Sequence, residues 1–343
     1  MNDETSMSAE PLRKTTEVFT APVHTGTQIH WQQGVLELPQ PFRLECGAVL
    51  EDARLAWQCA GPADAPLIVA LGGISAHRRV CAADGNGWWE DQCGAGKTLD
   101  TNRFRVLGID WLGGCDESSG ARGDREFPAV STADQARAVL ALLNRLGVRR
   151  VHLLVGASYG GNVAQQLAAL LGERVRRLVL LSAAHRPAQF GLGLRHIQRA
   201  ILELGDASAE ALALARSLAV LCYRTTEGVE QRFASDESRD GVIGWLQHHG
   251  TSFARRFDPK AYVCLGRSLD EHCIDPATIR APTTLFAVRE DLTVPLSLLR
   301  EYADRAGAHC ELVEISSVHG HDAFLKEADA VSQVLATALE SAP

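Results

Sequence analysis

The chain has 343 residues, 46% of them hydrophobic and 22% charged, which is enough apolar material for one large α/β domain carrying an insertion. A formal net charge of -8 and a pI near 5.8 exclude a general attraction to nucleic acid or to an anionic membrane, so an anionic ligand must be met by local arginines. Nine scattered cysteines, odd in number and never in CxxC spacing, read as reduced thiols rather than as a disulfide or zinc framework.

In chain order, residues 1–20 mix acids and bases with no apolar core, so neither a secretory signal nor a membrane span is expected there, and the expected compartment is the cytoplasm. Residues 1–40 carry Pro, Gly, Thr and Gln without a period and read as an extended arm ahead of a domain over 41–343. From there, short apolar runs alternate with helical patterns, the signature of a mostly parallel sheet covered by helices on both faces. The expected strands are residues 67–71, 104–109, 151–155, 175–181, 283–288 and 310–315. A helix starts at Thr132, with Ala133, Ala136, Val139, Leu140, Leu143 and Leu146 at helical spacing and Gly147 as its C-terminal cap. Over 187–274 the strand pattern gives way to leucine- and alanine-rich helical stretches such as 209–221 and 241–249, which we read as an inserted helical lid.

The run Gly156-Ala157-Ser158-Tyr159-Gly160 places a serine between an apolar strand and an amphipathic helix, where a tight turn exposes its side chain. Gly156 and Gly160 keep side chains out of that elbow, and Gly161 lets the helix lie close to the sheet. The backbone N–H of Tyr159, at the helix N-terminus, is one expected oxyanion donor. The second is expected from the glycine turn after the 67–71 strand, at Gly72 in Leu71-Gly72-Gly73-Ile74-Ser75.

A serine hydroxyl needs a histidine to take its proton and a carboxylate to orient that histidine, and in elbow enzymes both follow later in the chain. Asp291, after the 283–288 strand, is the expected acid, with Glu290 as its neighbouring rival. His321, in Ser317-Val318-His319-Gly320-His321-Asp322, is the expected base, with His319 as its rival. A metal site on His319, His321 and Asp322 is disfavoured because no HExxH or other ligand spacing accompanies them, and no metal or permanently bound cofactor is expected.

The triad alone does not separate hydrolysis from acyl transfer. Other segments do. Gly87-Trp88-Trp89-Glu90, Gly94-Ala95-Gly96-Lys97, Leu99-Asp100-Thr101-Asn102-Arg103-Phe104, Leu112-Gly113-Gly114-Cys115 and Phe127-Pro128 resemble, in order, the homoserine O-acyltransferases of methionine biosynthesis, enzymes of the α/β-hydrolase fold. So do Leu214-Ala215-Arg216-Ser217-Leu218, Tyr223-Arg224, Arg232-Phe233, Arg256-Phe257-Asp258, Tyr262 and Gly320-His321-Asp322-Ala323-Phe324-Leu325, so the likeness runs from about Phe42 to the C-terminal helix.

The resemblance implies Ser158 as nucleophile, Asp291 as acid and His321 as base. It implies Arg216 as partner of homoserine's carboxylate, Asp322 as partner of its ammonium, and Tyr223 in the same pocket. It also implies acyl-CoA as co-substrate, L-homoserine as acceptor and a homodimer built through the lid. The chain departs from the family wording at Tyr159, Asn162, residues 71–77 and residues 115–120, and its lid is shorter, so the acyl pocket is expected to be reshaped around Tyr159 and Asn162. Between acetyl and succinyl the reading leans to succinyl, with Arg78 and Arg79 as candidate partners of its free carboxylate. A serine O-acyltransferase and a carboxylic-ester hydrolase with the same triad are the alternatives.

Overall fold

The computed structural model describes residues 29–121, 127–235 and 241–340. Eight strands form the central sheet: β1 (Trp31–Glu37), β2 (Arg54–Ala60), β3 (Leu67–Leu71), β4 (Arg105–Ile109), β5 (Leu153–Ala157), β6 (Leu178–Leu181), β7 (Thr283–Val288) and β8 (Cys310–Ile315). Their spatial order is β1-β2-β4-β3-β5-β6-β7-β8, antiparallel at β1/β2 and β2/β4 and parallel from β4 onward.

The parallel centre forms because its strands are apolar on both faces. Val69, Leu71, Leu107 and Ile109 join one core with the helices α1 (Thr132–Arg145) and α2 (Tyr159–Leu171), while Ile68, Ala70, Val106 and Val155 join the other with Trp89 and Val331, Val334 and Leu335 of the C-terminal helix. β7 and β8 have the expected bounds, and β4, β5 and β6 begin one to three residues later than expected. β1 and β2 were not expected. β1 occupies part of the segment read as an extended arm, pairs along its whole length with β2, and adds an edge to the main sheet; residues 1–28 of that arm lie outside the described residues.

The helix at Thr132 begins with a reciprocal capping box. Ser131 Oγ accepts from Asp134 N at 3.0 Å, and an Asp134 oxygen accepts from Ser131 N at 3.0 Å. It ends at Leu146, followed by Gly147 at φ +68°.

Between β6 and β7 the described chain leaves the sheet for five helices: α3 (Gln189–Leu204), α4 (Ala209–Tyr223), α5 (Thr226–Phe233), α6 (Gly241–Ala254) and α7 (Pro259–Asp270). α4 and α6 cross at close range because Gly250 has no side chain: a β-carbon there would sit 2.3 Å from Ala213 O. Ser217 Oγ, donating to Leu246 O at 2.9 Å, fixes that crossing. After β7 come the helices α8 (Leu296–Ala306) and, beyond β8, α9 (Ala328–Glu340). Among the described residues no helix is long and apolar enough to cross a membrane.

Candidate active site

β5 delivers Ser158 to the carboxyl edge of the sheet at φ +51° and ψ -120°, a backbone conformation costly for any residue with a β-carbon. Glycines permit the turn. A β-carbon on Gly156 would lie 2.4 Å from Gly160 O, and one on Gly160 would lie 2.2 Å from Leu71 O. One on Gly161 would lie 2.3 Å from the Ala183 β-carbon, so Gly161 sets the distance between α2 and the sheet as expected.

Ser158 is also the residue preceding α2, yet its side chain does not cap the helix. It donates instead to His321, at 2.9 Å from Nε2. His321 Nδ1 in turn stands 2.6 Å from Asp291 Oδ2. The other carboxylate oxygen of Asp291 accepts from Thr293 N at 2.8 Å, Thr293 Oγ1 at 2.9 Å and Val294 N at 2.9 Å. The buried carboxylate is thus fully used, one oxygen by its own loop and one by the imidazole. Burial alone would lower the pKa of His321, but the charge of Asp291 and the hydrogen bond to it prevail and the pKa is raised.

Both rivals have structural partners. Glu290 accepts from Ser317 N at 2.9 Å and braces the histidine loop. His319 Nδ1 faces Arg224 at 3.2 Å, and burial together with that guanidinium lowers its pKa. Gly320 lies between the two histidines at φ +55°, where a β-carbon would meet Tyr223 O at 2.6 Å, so the base loop touches the lid backbone directly.

Two expectations about the oxyanion and acyl region need correction. Gly72 sits behind the elbow: its carbonyl accepts from Gly160 N at 2.9 Å, and its α-carbon faces Ala76 and Trp88. Ile74, two residues further on, lines the cavity beside Ser158. Among the described residues neither Ile74 N–H nor Tyr159 N–H has an acceptor. Tyr159 itself does not shape the cavity. Its buried ring meets Trp111 edge-on at 4.9 Å, and its hydroxyl lies 2.9 Å from Ser268 Oγ of α7 and 3.2 Å from Gln135 Nε2 of α1. Asn162 does line the cavity.

Tyr159→Phe is therefore expected to cost stability rather than chemistry. Removing the hydroxyl strips a partner from buried Ser268 and Gln135, a loss of about 1–3 kcal/mol by denaturant unfolding. Turnover at saturating substrate should stay close to that of the parent. Collapsed activity at unchanged stability would show that the ring shapes the pocket after all.

The cavity beside the elbow is partly open to solvent. Ser158 and His321 lie in its wall, and the lid contributes Leu194, Arg195, Gln198 and Arg199 of α3, Tyr223 of α4, and Tyr262 and Leu269 of α7. Tyr223 packs on His321 with ring centroids 5.3 Å apart. Arg216 lies one ring behind, its guanidinium 5.8 Å from the Tyr223 ring and 4.7 Å from that of Phe253, with no carboxylate in ion-pair range among the described residues. Asp322 pairs with Arg224 at 2.8 Å, a partner not expected for it.

Arg78 and Arg79 are not part of this cavity. Arg78 is held by Asp110 at 2.7 Å and Glu117 at 2.6 Å, and Arg79 is exposed beside Asp84. The arginines in the wall are Arg186, Arg195 and Arg199. The sequence does carry their signal. Gly191, Leu194, Gln198 and Leu202 form the buried stripe of α3, and Arg195 and Arg199 flank its one polar member at i-3 and i+1.

Residues 66–328 match the family model of the alpha/beta hydrolase fold. The homoserine O-succinyltransferase of Xanthomonas campestris is 39% identical over 321 residues, covering 90% of this chain and 84% of that protein. The homoserine O-acetyltransferase of Thermus thermophilus is 34% identical over 274 residues, covering 73% and 71%. Among solved structures, homoserine O-acetyltransferase from Staphylococcus aureus superposes with a TM-score of 0.82 at 25% identity, covering 92% of this chain and 97% of that one. Esterase E22 superposes with a TM-score of 0.80 at 20% identity, a likeness of fold alone.

Proposed function

The chain belongs to the homoserine O-acyltransferases of the α/β-hydrolase fold, and from that premise we propose that it moves an acyl group, succinyl in preference to acetyl, from CoA to the hydroxyl of L-homoserine. The observation that carries the acyl chemistry is the continuous hydrogen-bonded line Ser158–His321–Asp291 at the floor of a lid-covered cavity, and the choice of transfer over hydrolysis rests on the homoserine O-acyltransferase relatives. The preference for succinyl rests on the 39% identical succinyltransferase.

Ser158 Oγ attacks the thioester carbonyl carbon while His321 Nε2 takes its proton. The oxyanion is held by the N–H groups of Tyr159 and Ile74. When the C–S bond breaks, His321 returns the proton to the CoA sulfur and the acyl group stays on Ser158. Homoserine's hydroxyl then enters, gives its proton to His321 and attacks the ester. Collapse releases O-acylhomoserine and returns the proton from His321 to Ser158.

Arg216, behind the Tyr223 ring, and Asp322, next to His321 in sequence, stand just behind this wall and are the groups suited to the acceptor's carboxylate and ammonium. Among the described residues Arg216 has no competing carboxylate, and a guanidinium fork matches a carboxylate. The α-helical cover over the cavity favours transfer over hydrolysis by keeping water from the acyl-serine. The same reading makes the protein a homodimer of the cytoplasm, acting in methionine biosynthesis, with acyl-CoA as co-substrate and no nucleic-acid or membrane partner.

A mass-spectrometric product screen tests it, with succinyl-CoA and acetyl-CoA offered against homoserine and serine. O-Succinylhomoserine is expected as the dominant product. Dominant serine products would reassign the acceptor. Release of free acid with no amino-acid ester in any arm would make the protein an ester hydrolase.

A further inference from the structure

One wall of the cavity carries a charge that the triad and the acceptor groups leave unused. Arg195 and Arg199 stand one turn apart on α3 and share a single carboxylate, Asp270 of α7. Arg195 meets it through Nε, and Arg199 through Nη1 at 2.7 Å. No other carboxylate pairs with either among the described residues, so one positive charge is in excess. By contrast Arg186, also in the wall, is matched by Glu301 at 2.6 Å. The Arg195 side chain is only 14% exposed, and its Nη2 is buried without a hydrogen-bond partner. An arginine does not shed its charge when buried, so a half-matched guanidinium facing a cavity calls for an anion.

We propose that Arg195, backed by Arg199, is the subsite for the free carboxylate of a dicarboxylic acyl donor, so that a succinyl group on Ser158 points its far end at α3. Leu194, Leu269 and Val294 supply the apolar cover its methylene groups need. The inference rests on the acyl-transfer reading and adds a residue that sets the donor. An acetyl group leaves Arg195 unmet. The acceptor's carboxylate has the same chemistry as the donor's, so the test separates the two half-reactions.

Wild type, Arg195→Met and Arg195→Lys, all full length, are mixed with succinyl-CoA or acetyl-CoA without homoserine, and acylation of Ser158 is followed by intact mass and by CoA release. The wild type should acylate faster with succinyl-CoA. In Arg195→Met the succinyl-to-acetyl rate ratio should fall by about 100-fold, with Arg195→Lys between because it keeps the charge and loses the fork. Equal slowing with both donors would overturn the inference, since acetylation reports on folding and on the triad. An unchanged ratio, with a raised KM for homoserine in a separate steady-state transfer assay of the same variants, would overturn it too, assigning Arg195 to the acceptor. A wild type acylated only by acetyl-CoA would overturn the inference and leave acyl transfer standing, whereas one acylated by neither donor would overturn both.

Discussion

Ser158→Ala is expected to abolish acyl transfer, with kcat falling by about ten-thousand-fold or more, and no acyl adduct should appear on the protein after exposure to either acyl-CoA. The geometry makes this loss specific. Ser158 Oγ is the atom that His321 Nε2 faces at 2.9 Å, and among the described residues no other hydroxyl is hydrogen-bonded to that nitrogen. The fold should survive the change. Alanine carries the same β-carbon through φ +51°, so the strain at the elbow is unaltered, and α2 loses no cap because the serine side chain never capped it. Thermal unfolding of the variant should therefore lie near that of the parent. Transfer activity at parental level, or an adduct retained on the variant, would remove Ser158 from the mechanism.

What the sequence disclosed follows from how each feature is encoded. The elbow, the acid loop and the base loop are local signals, a few consecutive residues whose types answer to a backbone demand, and the structure brings all three within hydrogen-bond range. β3 is legible as an unbroken apolar run, and β7 as two β-branched threonines followed by one, because their faces are buried. β1 is not. Its residues Trp31, Gln32, Gln33 and Gly34 give an edge strand with one partner and a half-exposed pattern, and a β-carbon on Gly34 would lie 3.3 Å from the Trp57 ring of β2.

Side-chain direction is the other thing a linear pattern hides. Tyr159 adjoins the nucleophile in sequence, yet its ring turns into the core to bridge α1 and α7, while Asn162, three residues on, faces the cavity. The turn after β3 hides its directions in the same way, since Gly72 backs the elbow and Ile74 lines the cavity. Arg195 is hidden as well, because the helical period of the insertion shows in its apolar stripe, whereas the cations that line the cavity border that stripe.

Asp291→Asn should lower kcat/KM by about ten-thousand-fold while leaving the loop in place. In the parent, one carboxylate oxygen accepts three hydrogen bonds from Thr293 and Val294, all from donors. Only the amide oxygen of an asparagine satisfies them, so its NH₂ group must turn toward His321 Nδ1. An NH₂ donor there forces Nδ1 to accept, which places the imidazole proton on Nε2, where it can no longer take the proton of Ser158.

The pH profile supplies a second readout. His321 works as a base only when neutral, so activity falls as pH drops through its pKa. That pKa is raised, placing the acid limb of the parent above the ordinary histidine value of about 6.5. Without the Asp291 charge, burial becomes the larger influence and lowers the pKa, so the residual activity of Asp291→Asn should have its acid limb displaced to lower pH. An acid limb that stays put while activity falls would mean that Asp291 does not set the charge state of His321, and the orienting role would pass to another carboxylate such as Glu290.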